Sequence, residues 1–184
     1  MALDPHHTYI DDAARAWLHD PFWAVVAVCR PPITREVQND TVNHWRLFFV
    51  LPPTTTYSQR SIVLDMGMES GTNTQGVCGA IGKPYSVTSY RAQEVGNIPG
   101  EPNATVATVL DTLDKAGVFR YRYADSGEEC RYWILTAVEL LEATGIFAEG
   151  AGASVRAIID KLWMVTADGD SHGIPKPVIE GEFL

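Results

Sequence analysis

The segment from Ser126 to Gly145 carries the start and stop signals of a single helix, and the rest of the chain must fold around it. Ser126 followed by Glu129 is a capping box, whose two side chains satisfy free N–H groups of the first turn. Gly145 suits the left-handed residue that follows the last helical turn. One apolar stripe runs between the two ends at helical spacing: Cys130, Ile134, Ala137 and Leu141. We therefore expect a helix whose core-facing stripe begins with a cysteine.

The position of Cys130 in this helix makes its thiol a candidate nucleophile. The first turn of a helix lies at the positive end of the helix dipole, which stabilises a thiolate. The alternative is that Cys130 is a small apolar residue of the core, because free cysteines are among the most buried residues in proteins. The helix taken alone favours this second interpretation.

Composition and charge indicate a single globular domain and argue against several classes of function. The sequence has 184 residues, of which 46% are hydrophobic, and this is enough for one buried core. The net charge is −9, and the 14 Lys and Arg residues are dispersed. Binding to the phosphates of a nucleic acid needs clustered cations, so this function is not expected. The chain shows neither a secretion signal nor an apolar run long enough to cross a membrane. We expect a cytoplasmic monomer or homodimer that binds neither nucleic acid nor membrane.

Apolar runs rich in β-branched and aromatic residues predict the strands of a sheet. They span residues 22–30, 44–51 and 61–66, and residues 118–124 form a further run of alternating basic and aromatic side chains. The loop between the second and third runs lets them pair as an antiparallel hairpin. Two more helices are predicted, at Asn103–Gly117 and Ser154–Met164, because apolar residues recur there at helical spacing. A short helix is predicted between Asp11 and His19.

These elements predict an α+β fold in which an antiparallel sheet packs against a central Cys-bearing helix and two further helices. The whole chain, 1–184, is expected to form one domain. Three segments lie outside its predicted core: an N-terminal extension at 1–21, a Gly/Ser-rich insert or flap at 67–102, and a surface tail at 166–184.

The sequence lacks the common patterns for metals and nucleotides. The five histidines are scattered, and the three cysteines form no C-x-x-C pair. The glycine-rich stretch 76–84 does not match a phosphate-binding loop, because Pro84 stands where a Ser or Thr would hold magnesium. We therefore expect a protein with no metal site and no cofactor.

The remaining chemistry is a cysteine at the start of a helix and a histidine at the start of a strand. If the His44 imidazole reaches the Cys130 sulfur, the pair supplies a nucleophile and a general acid. A third polar group usually orients such an imidazole, and Asp65 and Gln59 are the candidates. Whether Asp65 shares a face with His44 depends on the hairpin register, because a slip of one residue would move it to the other face.

The order of these motifs resembles the circularly permuted branch of the papain-like NlpC/P60 thiol enzymes. The resemblance rests on His44-Trp45 at the start of one strand and on Cys130-Arg-Tyr-Trp133 in the first turn of a later helix. It implies a papain-like fold and peptidase, amidase or acyltransferase activity, with His44 as base, Cys130 as nucleophile and Asp65 as the orienting group. Glu129 stands where that family has Asn, and the segment from Gly67 to Gly117 is a long insert.

A second resemblance covers nearly the whole chain. The motifs Asn43-His-Trp-Arg-Leu47, Ser61-Ile-Val-Leu-Asp-Met66 and Glu129-Cys-Arg-Tyr-Trp133 are similar to a filamentous-fungal family of small proteins of unknown function. This resemblance implies a fungal source and a role in specialised metabolism, but it implies no particular activity.

Three hypotheses for the function follow. The first is a cofactor-free enzyme that acts on an apolar small molecule by acyl transfer or hydrolysis, with Cys130, His44 and Asp65 as catalytic residues. The second is a cofactor-free cyclase or isomerase that relies on a shaped aromatic pocket and acid–base residues. The third is a binding protein in which Cys130 belongs to the core. In the enzyme hypotheses, the residues expected to contact the small-molecule substrate are Trp45, Trp133, Tyr121, Tyr123 and Arg46.

Overall fold

The computed structural model describes residues 3–29, 33–35, 40–68, 74–85, 94–98, 101, 103–124, 130–165 and 171–184. Within these ranges the helices are α1 (Asp12–Trp17), α2 (Val106–Lys115), α3 (Cys130–Ala143) and α4 (Ala151–Ile159). The strands are β1 (Thr8–Ile10), β2 (Ala24–Cys29), β3 (Ile33–Arg35), β4 (Asp40–Val42), β5 (Trp45–Leu51), β6 (Arg60–Met68), β7 (Gly76–Lys83), β8 (Glu94–Ile98), β9 (Tyr121–Arg122), β10 (Lys161–Val165), β11 (Ser171–Pro175) and β12 (Glu182–Phe183).

Six strands form the main sheet, in the order β1-β7-β6-β5-β2-β8. Every neighbouring pair is antiparallel except β1 and β7, which run parallel. The α+β class is therefore confirmed, although the sheet is mixed and not purely antiparallel. Shorter two-stranded ribbons are formed by β3 with β4, β9 with β12 and β10 with β11.

Both faces of the central strands are buried, which explains why their sequences are continuous apolar runs. One face belongs to the main core, to which all four helices contribute buried side chains. The opposite face carries a smaller cluster of buried residues from β2, β5 and β6: Val26, Val28, Phe48, Val50 and Val63. The catalytic candidates on β5 and β6 therefore lie beside a well-packed, rigid part of the sheet.

The central hairpin forms as predicted, and its register is now defined. Strands β5 and β6 pair antiparallel, with Leu47 opposite Leu64 and Leu51 opposite Arg60. One further step along this register places Arg46 opposite Asp65. The hairpin therefore brings a cation and a carboxylate together on one face of the sheet, at the end where β5 begins.

Segment 67–102, predicted as an insert or flap, contributes β7 and β8 to the main sheet. Two of its glycines, Gly76 and Gly82, lie where neighbouring elements pack closely. A Cβ atom added at Gly82 would lie 2.6 Å from the Cβ of Ala13 in α1, and one at Gly76 would lie 2.8 Å from the Sδ of Met66. Glycine has no side chain and so allows neighbouring elements to approach this closely. A strand that contains several glycines has a composition like that of a loop, which is why the sequence predicted a flap here.

The two chain ends are also integrated into the fold. Segment 1–21, predicted as an extension, supplies the edge strand β1 and the helix α1, which packs on β7. Segment 166–184, predicted as a surface tail, contributes β11 and β12 to the ribbons. The predicted helix at Ser154–Met164 corresponds to α4 as far as Ile159, and the residues after it form β10. Pairing of β10 with β11 overrides the helical periodicity of this sequence.

Two of the predicted helix ends are confirmed by backbone geometry. Gly117 follows α2 with φ +75°, and Gly145 follows α3 with φ +72°, both in the left-handed region that favours glycine. The described part of helix α3 begins at Cys130. The predicted capping box of Ser126 and Glu129 lies outside the described residues.

Buried Arg131, the second residue of α3, ties the C-terminal segment to the start of this helix. Its guanidinium donates hydrogen bonds to the carbonyl oxygens of Ile159 (3.2 Å), Lys176 (2.7 Å) and Pro177 (3.1 Å). Charge-assisted hydrogen bonds to several carbonyl groups hold an arginine and its partners in one arrangement. Because Arg131 directly follows Cys130, these hydrogen bonds also fix the position of Cys130.

Candidate active site

Three separate elements bring a thiol, an imidazole and a carboxylate together. His44 directly precedes β5, Asp65 lies in β6, and Cys130 is the first residue of α3. The hairpin register puts Asp65 opposite Arg46, two residues beyond His44, so that the Asp65 carboxylate reaches both side chains. The sequence alone did not define the register of the hairpin. The register in the structure allows the Asp65 carboxylate to reach His44.

The Asp65 carboxylate is divided between two cationic partners. Its Oδ1 lies 2.6 Å from the Nε2 of His44, and its Oδ2 lies 2.7 Å from the Nη2 of Arg46. An ionised carboxylate only accepts hydrogen bonds, so the Nε2 of His44 carries the proton of this bond. The nitrogen left for the Cys130 sulfur is therefore Nδ1. Of the two candidates for orienting the imidazole, Asp65 is hydrogen-bonded to it.

The Cys130 thiol interacts with the His44 imidazole and with the backbone just before it. Its hydrogen-bonding and electrostatic interactions with His44 both favour the protonated imidazole. The thiol also donates to the carbonyl oxygen of Asn43, over 3.7 Å. Cys130 is 5% exposed, whereas the His44 side chain is 25% exposed. Of the two side chains, the imidazole is therefore the more accessible to solvent.

The environment of His44 favours its protonated form at neutral pH. Burial lowers the pKa of His44, but the hydrogen bonds to Asp65 and Cys130 and the charges of these two groups outweigh it and raise the pKa to about 9. For Asp65, burial raises the pKa, but the hydrogen bond to His44 and the charges of His44 and Arg46 outweigh it and bring the pKa below its ordinary value. The site therefore holds an imidazolium and a carboxylate at neutral pH.

We expect the pKa of His44, measured by NMR from its ring resonances, to lie near 9 and to fall by about 1 to 2 units in Asp65→Asn. The asparagine keeps the shape of the side chain but removes its charge. Because the pKa is raised on folding, the protonated imidazole stabilises the fold fully below pH 6.5, and this stabilisation is lost as the pH rises through about 9. As a control, Asp111→Asn removes an exposed carboxylate paired with Lys115 and should leave the titration of His44 unchanged. An equal fall in both variants would contradict the assignment.

Most of the residues predicted to bind substrate belong to the core. Trp45, Trp133 and Tyr121 have no exposed surface, and the indole of Trp133 donates to the carbonyl of Val118 over 2.9 Å. The hydroxyl of Tyr123 donates to the carbonyl of Met66 over 2.6 Å in a buried position. These aromatic residues pack inside the fold and hold the site in shape, since their rings offer a bound molecule almost no surface.

Arg46, also predicted to bind substrate, is 27% exposed, and its Nη2 lies 2.7 Å from Oδ2 of Asp65. Asn43 is a residue near the site to which sequence reasoning gave no role. Its side chain exchanges two hydrogen bonds with the backbone of Trp163 in β10, at 2.9 Å and 2.6 Å, while its own carbonyl accepts from the Cys130 thiol. The only feature of the sequence that could have indicated this role is that Asn43 directly precedes His44. Asn43 thus connects the β10–β11 ribbon to the start of β5.

Two features are absent from the part of the chain that the structure describes: a group of metal ligands and a helix suited to cross a membrane. No three His, Cys, Asp or Glu side chains there are grouped so that they could hold a metal ion. Among the described helices, none combines the length and the apolar character needed to cross a bilayer.

The fold and the site together define an α+β protein in which a helix start and a β-hairpin assemble a Cys, His and Asp constellation. The chain belongs to the family described as Domain of unknown function (DUF7770), whose model matches residues 25–184. This range contains all three residues of the constellation. It confirms the expectation that the protein belongs to a family of unknown function. No curated protein and no solved structure matches the chain.

Proposed function

We propose that the protein is a cofactor-free thiol enzyme that transfers or hydrolyses the acyl group of an apolar small molecule. The observation that carries this proposal is the 2.6 Å hydrogen bond between His44 and Asp65, together with the Cys130 sulfur 3.7 Å from the carbonyl oxygen of Asn43, the residue before His44. Cys130 acts as the nucleophile, His44 as the general base and acid, and Asp65 as the group that orients the imidazole. The same order, with the histidine strand before the cysteine helix, supports the finer proposal of a permuted NlpC/P60-like arrangement.

The reaction follows from the positions of the protons. The reacting form is the ion pair in which the His44 imidazolium holds the proton and Cys130 is a thiolate, and this sulfur forms a C–S bond to the acyl carbon. The bond between that carbon and the leaving oxygen or nitrogen breaks, and the leaving atom receives the proton from His44. Water or an acceptor hydroxyl then attacks the thioester while His44 removes its proton. The C–S bond breaks, His44 keeps the proton, and the thiolate–imidazolium pair is restored.

The start of α3 suits the charges of this reaction. The first N–H groups of a helix have no acceptor within the helix, and together with the helix dipole they stabilise negative charge at its first residue. The proposal of an apolar acyl group rests on the aromatic content of the sequence, 10% Phe, Trp and Tyr. Fungal specialised metabolism as the setting rests on the sequence resemblance alone.

A second candidate function is supported by the exposure of the site. The thiol is nearly buried, while the His44 and Asp65 side chains are 25% and 17% exposed. A cyclase or isomerase would need only the more exposed pair, with His44 donating or accepting a proton and Cys130 serving as packing. In that case Cys130→Ala would keep its activity and His44→Gln would lose it.

Acylation by p-nitrophenyl hexanoate tests the thiol enzyme directly. We expect intact-protein mass spectrometry to show one hexanoyl group per chain on Cys130, together with release of p-nitrophenolate. Cys130→Ala should reduce this release to the uncatalysed level, because the other two thiols, Cys29 and Cys78, are fully buried.

The matched control is Cys29→Ala, which removes a thiol from the core and should leave the rate of acylation of the folded protein unchanged. Thermal unfolding of both alanine variants verifies that they are folded. Acylation that persists in Cys130→Ala, or a wild-type protein that is never acylated on Cys130, would contradict the proposal.

A further inference from the structure

Arg46 contacts the one oxygen of Asp65 that His44 does not use. The Nη2 of Arg46 lies 2.7 Å from Oδ2 of Asp65, while the Nε2 of His44 lies 2.6 Å from Oδ1. The register of the hairpin places Arg46 opposite Asp65, so this contact is built into the sheet. Because each oxygen has its own partner, the carboxylate cannot rotate away from the imidazole without losing two ionic hydrogen bonds.

The charges at this site indicate a function for the contact between Arg46 and Asp65. With only His44 and Asp65 present, the imidazolium and the carboxylate neutralise each other, and a thiolate at Cys130 would be an uncompensated negative charge. Arg46 adds one positive charge on the far side of the carboxylate. The four groups, His44, Arg46, Asp65 and the Cys130 thiolate, then sum to zero. A buried thiolate is stable only when such a compensating charge is close.

We propose that Arg46 is a positioning residue that binds Asp65, so that the charge of the His44 imidazolium remains available to the Cys130 thiolate. The inference rests on the proposed function, since it assigns Arg46 a role in activating the same thiol. It differs from the sequence prediction, in which Arg46 contacts the substrate. Among the described residues, Tyr123 and Cys78 also lie near the site, and burial keeps both neutral by raising their pKa values.

A double-mutant cycle on the alkylation of Cys130 by iodoacetamide tests this role. Iodoacetamide is small and uncharged, so that its rate does not depend on a substrate-binding arginine. We expect Arg46→Gln to slow alkylation at pH 7 by about tenfold and Asp65→Asn by about 10- to 100-fold. The double variant should react within about twofold of Asp65→Asn alone, because Arg46 acts through Asp65.

The pH profile and a conservative variant provide further readouts. In Arg46→Gln the rise of the alkylation rate should move to higher pH by about one unit, because the compensating charge is missing. Arg46→Lys keeps that charge and should restore most of the wild-type rate. It also keeps the test usable if the glutamine variant does not fold.

The outcomes separate this inference from the proposed function. If alkylation in the wild type does not depend on His44, the proposed function fails. If it depends on His44 but Arg46→Gln reacts at the wild-type rate, only the role of Arg46 is wrong. Multiplicative losses in the double variant would show that Arg46 acts independently of Asp65, and this too would overturn the inference.

Discussion

Replacing His44 with glutamine is expected to slow the alkylation of Cys130 by iodoacetamide at pH 7 by about 100-fold. Glutamine retains hydrogen-bonding capacity, but it can neither take the thiol proton nor carry a positive charge beside the sulfur. Wild-type His44 does both, since its imidazole interacts with Cys130 and has a pKa raised to about 9, despite the opposing effect of burial. Mass spectrometry of quenched samples would give the rate of each cysteine separately.

Two controls distinguish a loss of thiol activation from a change in the access of iodoacetamide to the Cys130 sulfur. His172→Gln changes an exposed histidine of β11 and should leave the rate at Cys130 unchanged. Cys29 and Cys78 are 0% and 1% exposed, so their labelling reports any general opening of the fold in the variants. If His44→Gln alkylates as fast as the wild type, Cys130 is an ordinary core cysteine and the thiol mechanism is wrong.

The parts of the fold that the sequence predicted depend on local signals. Strand β2 and most of β5 are continuous apolar runs bounded by prolines, and β6 is an apolar run interrupted by Ser61 and Asp65. The ends of α2 and α3 are marked by glycines with positive φ. Such signals need only a few neighbouring residues, because strand propensity and helix termination are properties of short segments. The pairing of β5 with β6 followed from the short loop between them.

The parts that the sequence did not predict depend on contacts between distant residues. The sequence around Gly82 of β7 resembles a loop until α1 is packed against it, and the sequence of β10 resembles a helix until it pairs with β11. The register that places Arg46 opposite Asp65 is likewise a tertiary property, as is the burial of Trp45 and Trp133. The candidate residues His44, Asp65 and Cys130 could be named in advance because their chemistry is rare in this chain, but their contacts could not.

Substituting Gly82 with alanine is expected to destabilise the protein by about 3 kcal/mol or more. The added methyl would lie 2.6 Å from the Cβ of Ala13, 2.8 Å from the backbone nitrogen of Ala14 and 2.9 Å from the carbonyl carbon of Ala13. Two of these atoms belong to the backbone of α1, so no side-chain rotation relieves the overlap. The free energy of unfolding, from urea denaturation followed by circular dichroism, measures the effect.

The overlap also acts on the hydrogen bonds that hold α1 on β7. The carboxylate of Asp11 caps α1 by accepting from Ala14 at 2.7 Å, and the same oxygen accepts from the backbone N–H of Gly82 at 3.1 Å. A shift of α1 away from the new methyl group lengthens the bond to residue 82 and weakens the attachment of the helix to the sheet.

Gly79→Ala is the matched control, because it adds the same methyl group to the same strand. Its Cβ would lie 3.5 Å from the side chain of Ile81, an ordinary contact, and the loss of a flexible glycine from the unfolded chain offsets small costs. We expect its free energy of unfolding to stay within about 1 kcal/mol of the wild type. Equal losses in the two variants would mean that α1 does not pack on β7 at Gly82, and the N-terminal segment would then be the extension that the sequence suggested.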